Sequence, residues 1–463
     1  MGLSTAMEIG KNGLNIYRVA QEVTGENIAN VNTPGYSRQR VILESAPPTT
    51  ANGFPLGTGV RIATVERYYD GLLQQQLTNA QTTQGYDTTK STVLQQIEPT
   101  FNEVAQDGLG AAISGYFGAW QDLTLNPAGS AERQTVLSRA QILTDNFHSV
   151  STALNDSISI QNDTLVPLTN DINATLKNIA QLNSQIRTTE LVSGNANEIR
   201  DQRDQLVRDL SQQIGITYTE NSDGTTDIKY ADGGEALVTG SAAGTFSLDK
   251  TTDPNKFAVQ LTPAGGTVAA TVAPVTGQLG ATVALRDTII PGYLQQVNDL
   301  ATTITSQINT QHKLGSDLTG AGGIDFFDGT ATDAATFKLN PLLTNTNQIA
   351  ASSNALLTGD NSNALKLAQM QNLKLMSGNT STFNSYFDSL VSKVGLDVSS
   401  SKNTEAQDIA FTRQLTTLRE SNSGVSLDEE LTNLIKYQRS YQASAKLITT
   451  ATEMMDTVIN MIR

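Results

Sequence analysis

The sequence predicts a mainly α, elongated multidomain chain. Its N- and C-terminal helices are expected to pair as a coiled coil. Between them lie a helical-bundle body and a small inserted, outer β-rich domain. Three observations carry this reading: heptad-like apolar rows at both ends, helical periodicity through most of the middle, and a switch to strand-like alternation over residues 216–278.

At the N-terminus, Leu3, Met7, Gly10, Leu14, Tyr17, Gln21, Thr24, Ile28 and Val31 follow alternating steps of four and three, with Ile9, Ile16 and Val23 beside them. At the other end Leu427, Leu431, Leu434, Gln438, Tyr441, Ala445, Ile448, Thr452, Met455, Ile459 and Ile462 keep the same rhythm. A repeat held this long places one stripe along a helix and reads as a coiled-coil seam. At about 1.5 Å per residue the two helices would be roughly 45 and 55 Å long. Ser426 and Glu429 have the spacing of a capping box, and Asp428 and Glu430 add first-turn negative charge. The N-terminal helix is expected to stop near Asn30. Thr33-Pro34-Gly35-Tyr36 follows, with Pro and Gly where a type II turn needs them. Neither seam buries anything alone, so each needs the other end or a neighbouring copy.

Residues 1–45 and 424–463 are therefore read as one terminal domain, joined to the rest by a Pro/Gly/Thr-rich connector at 46–60. Residues 60–215 with 279–314 and 348–423 read as the helical body. Leu72, Leu73 and Leu77, then Val93, Leu94 and Ile97, suit helix faces. Ile172, Leu176, Ile179, Leu182 and Ile186 give a seam, as do Ile199, Leu206, Leu210 and Ile214. Loops are expected at 126–129 and 193–195, a kink at Pro291-Gly292 and a break at Ser399-Ser400-Ser401. Within 216–278, strands are expected at 217–219, 227–230, 257–261 and 267–272. Residues 315–347 read as a β/loop excursion of the body, with a short strand at Phe337-Lys338-Leu339.

Composition narrows the function. The 463 residues hold 45 Asp and Glu against 30 Lys and Arg, for a net charge of −15. Cysteine is absent, which excludes disulfides, cysteine metal sites and a cysteine nucleophile. An acidic chain without a basic block is a poor nucleic-acid binder. No run of roughly 18 apolar residues occurs, so no membrane insertion is expected. The start lacks a basic n-region and an apolar run, so no cleaved secretory signal is expected. Residues 1–45 carry four basic and four acidic groups, and 424–463 four and five, so nearly all the acidity lies in the middle. Neutral ends can pack closely while an acidic middle keeps the body soluble.

The search for chemistry is negative: no catalytic residue, metal ligand or cofactor is expected. His148 and His312 have no ligand spacing around them. There is no P-loop and no Gly-x-Ser-x-Gly elbow. Ser399 and Lys402 have Ser-x-x-Lys spacing in a serine-rich stretch without companion motifs. Asp325, Asp328 and Asp333 around Gly329 lack EF-hand spacing. Asp201, Asp204 and Asp209 alternate with Arg200, Arg203 and Arg208, which reads as ion pairs along one helix. Trp120 beside Tyr116 and Phe117 reads as core. What remains is an assembly signal, with an intramolecular helical hairpin as the plainer alternative.

The run Glu26-Asn27-Ile28-Ala29-Asn30-Val31-Asn32-Thr33-Pro34-Gly35-Tyr36-Ser37-Arg38 resembles the N-terminal signature of bacterial flagellar rod, hook and hook-associated axial proteins. Ser426-Leu427-Asp428-Glu429-Glu430-Leu431, continuing through Tyr437-Gln438-Arg439-Ser440-Tyr441, resembles the C-terminal one. Within that family, Ala196-Asn197-Glu198-Ile199-Arg200-Asp201-Gln202-Arg203-Asp204-Gln205-Leu206 is similar to the hook-filament junction members. The resemblance implies a non-enzymatic subunit that assembles with itself into a ring, between hook protein and hook-associated protein 3. It also implies type III export, a dedicated export chaperone, and a place outside the cell on the flagellum. Assembly residues are expected to be Leu3, Met7, Leu14, Tyr17, Asn27, Ile28, Asn30, Val31, Asn32, Thr33, Pro34, Gly35 and Tyr36. At the other end they are Leu427, Leu431, Leu434, Gln438, Arg439, Tyr441, Ala445, Ile448, Met455, Ile459 and Ile462. A hook- or rod-type subunit, or an acidic extracellular enzyme, are the alternatives.

Overall fold

The computed structural model describes residues 2–51, 54–102, 108–192 and 194–461. Helix α1 (Gly2–Ala29) leads into a two-stranded ribbon, β1 (Gln39–Ser45) and β4 (Val60–Arg67), with a short hairpin of β2 (Thr49–Ala51) and β3 (Phe54–Leu56) between them. The ribbon is antiparallel from Gln39↔Arg67 to Ser45↔Val60, with an irregularity after Ile42. The sequence reading had only a connector here. Pro47, Pro48, Gly57 and Gly59 flank the hairpin, and the charged strands outside them hid the pairing.

The body follows as α2 (Gly71–Ile97), α3 (Leu109–Leu123), α4 (Ser130–Val192) and α5 (Asn197–Gln213). Helix α4 is one continuous element of 63 residues with Pro167 inside it. Asp70 caps α2 by accepting from the Leu73 N–H at 3.1 Å. The abundant threonines fit helices because their hydroxyls bond back one turn, as Thr78 does to the Gln74 carbonyl at 2.8 Å and Thr169 to Leu165 at 2.8 Å.

The β-rich part holds two sheets. Strands β5 (Ile216–Glu220), β6 (Thr226–Tyr230), β7 (Ala236–Thr239) and β8 (Ala242–Ala243) form an antiparallel meander. Strands β9 (Thr245–Asp249), β10 (Ala258–Thr262) and β11 (Ala270–Thr271) form the second sheet in the order β11-β10-β9. The sequence reading missed β7, β8 and β9, whose two to five residues are too short to show a period, and overextended β11. The sheets do not carry a separate core: Ile228, Val238, Phe246 and Leu261 bury against Ile172, Leu176 and Ile179 of α4 and Leu210 and Ile214 of α5.

Helix α6 (Gly277–Ala284) passes through a π-helical turn, Leu285–Ile289, into α7 (Ile290–Lys313). The irregularity expected at Pro291 is this widened turn, which makes room for a ring that cannot donate and crowds the carbonyl four residues back. Helix α8 (Ser362–Gln369) precedes α9 (Phe383–Ser423), and α10 (Leu427–Met461) closes the chain. Two expectations fail here. Helix α9 runs unbroken through Ser399–Ser401, with Ser401 buried, so packing overrides weak propensity. Phe337–Leu339 is not a strand but makes a single bridge, Phe327↔Leu339.

The main core joins α2, α3, α4, α7 and α9 with the 315–351 loops. Trp120, Tyr116, Phe326 and His312 form an aromatic cluster inside it. His312 Nδ1–H donates to the Ile324 carbonyl at 2.6 Å, and Nε2 accepts from the Ala350 N–H at 2.9 Å. One neutral imidazole thus pins two points, Ile324 within the excursion and Ala350 just after it, to α7. Burial pulls its pKa down to about 4. The unfolded chain then binds the extra proton between about pH 6.5 and 4, so stability falls as pH drops through that window. Denaturant titrations at pH 7 and 4.5 should show up to about 3 kcal/mol of loss from this group. A His312→Gln chain should lose that part of the pH dependence.

Candidate assembly interface

Helices α1 and α10 pack along their length. The line of closest approach is made of small residues. Gly10 lies against Ile448 and the Ser444 carbonyl, and Gly13 against the Ser444 hydroxyl; a β-carbon at either would come within 2.6 Å of a side-chain atom. Ala20 and Ala451 are buried further along each helix. Tyr17 stacks on Tyr437 with ring centroids 6.4 Å apart. The terminal seam is therefore closed within one chain, as the plainer alternative allowed.

The structure rotates the contact stripe away from the expected rows. On α1 the buried positions are Gly10, Gly13, Ile16, Ala20, Thr24 and Asn27, while Leu3, Met7, Leu14, Tyr17, Ile28, Asn30 and Val31 are half-buried. Asn32, Thr33 and Pro34 are exposed, and Gly35 and Tyr36 half-buried. On α10 only Glu430 and Ala451 are buried. Leu434, Ala445, Ile448 and Met455 are half-buried, but Leu427, Leu431, Gln438, Arg439, Tyr441 and Ile459 stay exposed. Ile462 lies outside the described residues. Period alone finds a stripe but not its centre, because glycine and serine at the true contact carry no hydrophobic signal.

Beyond the helix pair the chain turns. The Tyr36 N–H bonds the Thr33 carbonyl at 3.2 Å, and Gly35 takes φ +83°, the type II geometry read from the sequence. Below this turn Asn27 uses all its hydrogen-bonding capacity. Its amide donates to the Gln39 carbonyl at 2.9 Å and to Glu430 Oε2 at 3.0 Å. Its Oδ1 accepts from the Tyr36 hydroxyl and the Gln39 N–H, both at 2.9 Å. Glu430, 2% exposed, also accepts from Arg38 Nε at 2.7 Å. Arg38 Nη1 reaches Glu429 at 2.6 Å, which draws that carboxylate away from the capping role expected of it. The Arg38 N–H bonds the Ser423 carbonyl at 2.8 Å, and Arg419 Nη2 holds the Gly35 carbonyl at 2.7 Å.

Helix α5 locks this clasp to the body. Asp201 accepts from the Ser37 N–H and from Arg67 Nη1, both at 2.7 Å, and Asp204 stands 2.8 Å from the same nitrogen. Asn197 Nδ2 donates to Gln39 Oε1 at 3.0 Å. The Arg/Asp series on α5 therefore does not pair chiefly along its own helix, as expected. Arg200 turns to Glu190 and Glu220, Arg203 to the Gly224 carbonyl, and Arg208 to Gln74 and Gln205. Burial and neighbouring Arg419 pull the Arg208 guanidinium down to about 10. A hydrogen bond to Glu198, then burial, push Glu26 up to about 7.

Four segments far apart in the chain thus meet at one point: residues 27–39, Arg67, residues 197–204 and residues 419–430. Sequence reasoning did not single out Ser37, Arg38, Gln39, Arg67, Arg419, Glu430 and Tyr437 as members; of these, Ser37, Arg38, Glu430 and Tyr437 lie inside the quoted runs and so carried a signal. The other candidates disperse. Asp325 pairs with Lys313 at 2.8 Å, Asp328 accepts from Thr330, and Asp333 accepts from Thr336. No group of three or more potential metal ligands occurs among the described residues. No described helix is long and apolar enough to cross a membrane.

The clasped terminal helices lie in the segments that models of flagellar axial proteins match. Models of the flagella basal body rod protein and of the flagellar basal body rod FlgEFG protein C-terminal match residues 7–36 and 419–461. The model of the flagellar hook-associated protein FlgK helical domain matches residues 94–327, half of the chain, and the chain belongs to that family. It is 29% identical to flagellar hook-associated protein 1 of Bacillus subtilis, over 99% of this chain and 98% of that one. Identity to hook-associated protein 1 of Escherichia coli is 27%, over 99% and 100%. Its fold is similar to the flagellar hook junction protein FlgK from Burkholderia pseudomallei, with a TM-score of 0.68 and 18% identity over 75% of this chain and all of that one.

Asn27→Leu would leave Glu430 and the Gln39 backbone groups short of partners, at a cost of about 2–4 kcal/mol. Trypsin should then cut at Arg38 and Arg40 faster than in the parent. Glu26 sets a pH dependence of opposite sign to that of His312. Its raised pKa means the folded elbow holds an extra proton between about pH 4.5 and 7, so stability falls as pH rises through that range. Hydrogen exchange of residues 24–37 should be faster at pH 8 than at pH 5.5, after correction for intrinsic rates, and Glu26→Gln should flatten the difference.

Proposed function

We propose that this chain forms the hook-filament junction of the bacterial flagellum, as a structural subunit that self-assembles through its terminal helices. Full-length similarity to hook-associated protein 1 from two organisms supports the reading. The observation that carries it is the clasp, which ties both axial-type ends to a body of the junction family. The exposed side of α10 is suited to neighbours: Leu427, Leu431, Ile435, Val458 and Ile459 are each 45% exposed or more.

In this reading residues 1–45 and 424–463 form the inner domain, and residues 60–215, 279–314 and 348–423 the body. Residues 216–278 and 315–347 are its outward elaborations. The predicted assembly residues divide between the intrachain seam and the surface shown to neighbours. Hook protein lies on one side and hook-associated protein 3 on the other. The chain leaves the cell through the flagellar export apparatus after release from a chaperone that covers its C-terminal helix. It has no catalytic task.

Electron microscopy of a deletion strain tests this. Hooks without filaments, with flagellin released to the medium, are expected. Absence of hooks would indicate a hook- or rod-type subunit, and an intact organelle would favour the enzyme alternative.

A further inference from the structure

At the elbow, between the turn after α1 and helices α4 and α5, lies a cleft of about 590 Å³. Glu26 and Tyr36 form one wall, Glu198 and Gln202 the second, and Gln181 and Gln185 the third. No lysine or arginine lines it. Its third carboxylate, Asp201, is already held by Arg67 and Ser37, whereas Glu26 shares a hydrogen bond with the exposed Glu198 and neither enters an ion pair among the described residues. The nearest guanidinium groups, Arg208 and Arg419, are taken up by Gln205 and the Gly35 carbonyl. Outside the cleft, α10 shows the complementary feature. Lys436, Arg439 and Lys446 are exposed and enter no ion pair among the described residues. Arg439 and Lys446 are two helical turns apart, on the side opposite Tyr437, Ser444 and Ile448, which face α1.

We infer that the elbow cleft receives Lys436 and Arg439 from α10 of a second copy of this chain. The inference rests on the subunit reading above and adds a specific contact to it. Charge complementarity is the first argument: two carboxyls crowded together without a cation are relieved when one arrives. Position is the second. The two cations stand six and nine residues beyond Glu430, about 9–14 Å along the helix from the clasp. A neighbour offset by that small axial distance brings them level with the cleft. Continuity is the third. Ile435 and Leu431, exposed beside the cations, can cover the apolar parts of the cleft at Pro34, Leu182 and Leu206. Elbow and helix then interlock around the ring, each subunit giving one half of the contact and receiving the other.

The test uses full-length protein added to isolated hooks. Glu198→Lys and the pair Lys436→Glu with Arg439→Glu should each lower the amount bound by about tenfold, and the three changes together should restore it. The cysteine-free parent allows a second readout. Subunits carrying Glu198→Cys mixed with subunits carrying Arg439→Cys should yield cross-linked dimers on hooks with a short bis-maleimide, and none as free monomers. Wild-type protein that fails to add would overturn the subunit reading and this contact with it. Wild-type addition without restoration and without cross-linked dimers would overturn the contact alone. If a charge variant melts early, the cross-link decides.

Discussion

The structure depends on one buried amide. Asn27 has two donor and two acceptor sites of use here, and they go to Gln39, Tyr36 and Glu430. Those residues belong to the ribbon, the turn and the C-terminal helix. A threonine hydroxyl of similar size could accept twice but donate only once, so it could not serve both the Gln39 carbonyl and the Glu430 carboxylate. Because the site is closed to water, each of these groups would be costly to leave unpaired. The amide therefore fixes the angle at which both terminal helices leave the body.

Charge then makes that angle rigid. Glu430 is buried beside Arg38, and Asp201 beside Arg67, with both side chains of the second pair 7% exposed. A buried ion pair is weak evidence for net stability, since desolvation offsets most of the attraction. It is a strong constraint on geometry, because any shift leaves a charge without its counterion. Along the helix pair itself the constraint is steric. Gly10 and Gly13 let α1 approach Ser444 and Ile448 more closely than any larger residue would. Polar and steric constraints thus divide the interface between the elbow and the shaft.

This division explains what could be read in advance. The helical ends, the turn at Thr33–Tyr36, the body helices and the strand-rich insertion all leave periodic or turn-forming signals, and they are where they were expected. Of the row expected on α10, Ile448 packs against Gly10 while Leu427, Leu431 and Tyr441 stay exposed, and the contact also runs through Glu430, Tyr437, Ser444 and Ala451. Hydrophobic period favours the exposed row because the true contact is built from small and polar residues. The clasp was hidden for a different reason. Its members come from residues 27–39, 67, 197–204 and 419–430, and only the folded topology brings them together. Asp201 in particular looks like one member of a regular Arg/Asp series, and nothing local distinguishes it from Asp209.

A monomer with its own seam satisfied has no need to leave apolar residues outside. Helix α10 nevertheless keeps Ile435 and Leu431 about half-exposed beside Lys436 and Arg439, which enter no ion pair among the described residues, and Met454 about half-exposed further along. The main body buries its aromatic cluster and pins its long loops with His312. Exposed apolar residues are thus dense along a terminal domain that is nearly neutral overall, while the excess negative charge lies in the body. Like-charged bodies repel one another at a distance, but the ends they carry can still meet at contact range, where burial outweighs screened repulsion. Under the proposed subunit role, the stiff elbow holds the exposed face of α10 at a fixed angle to the acidic body, so that contact between ends does not require the bodies to touch.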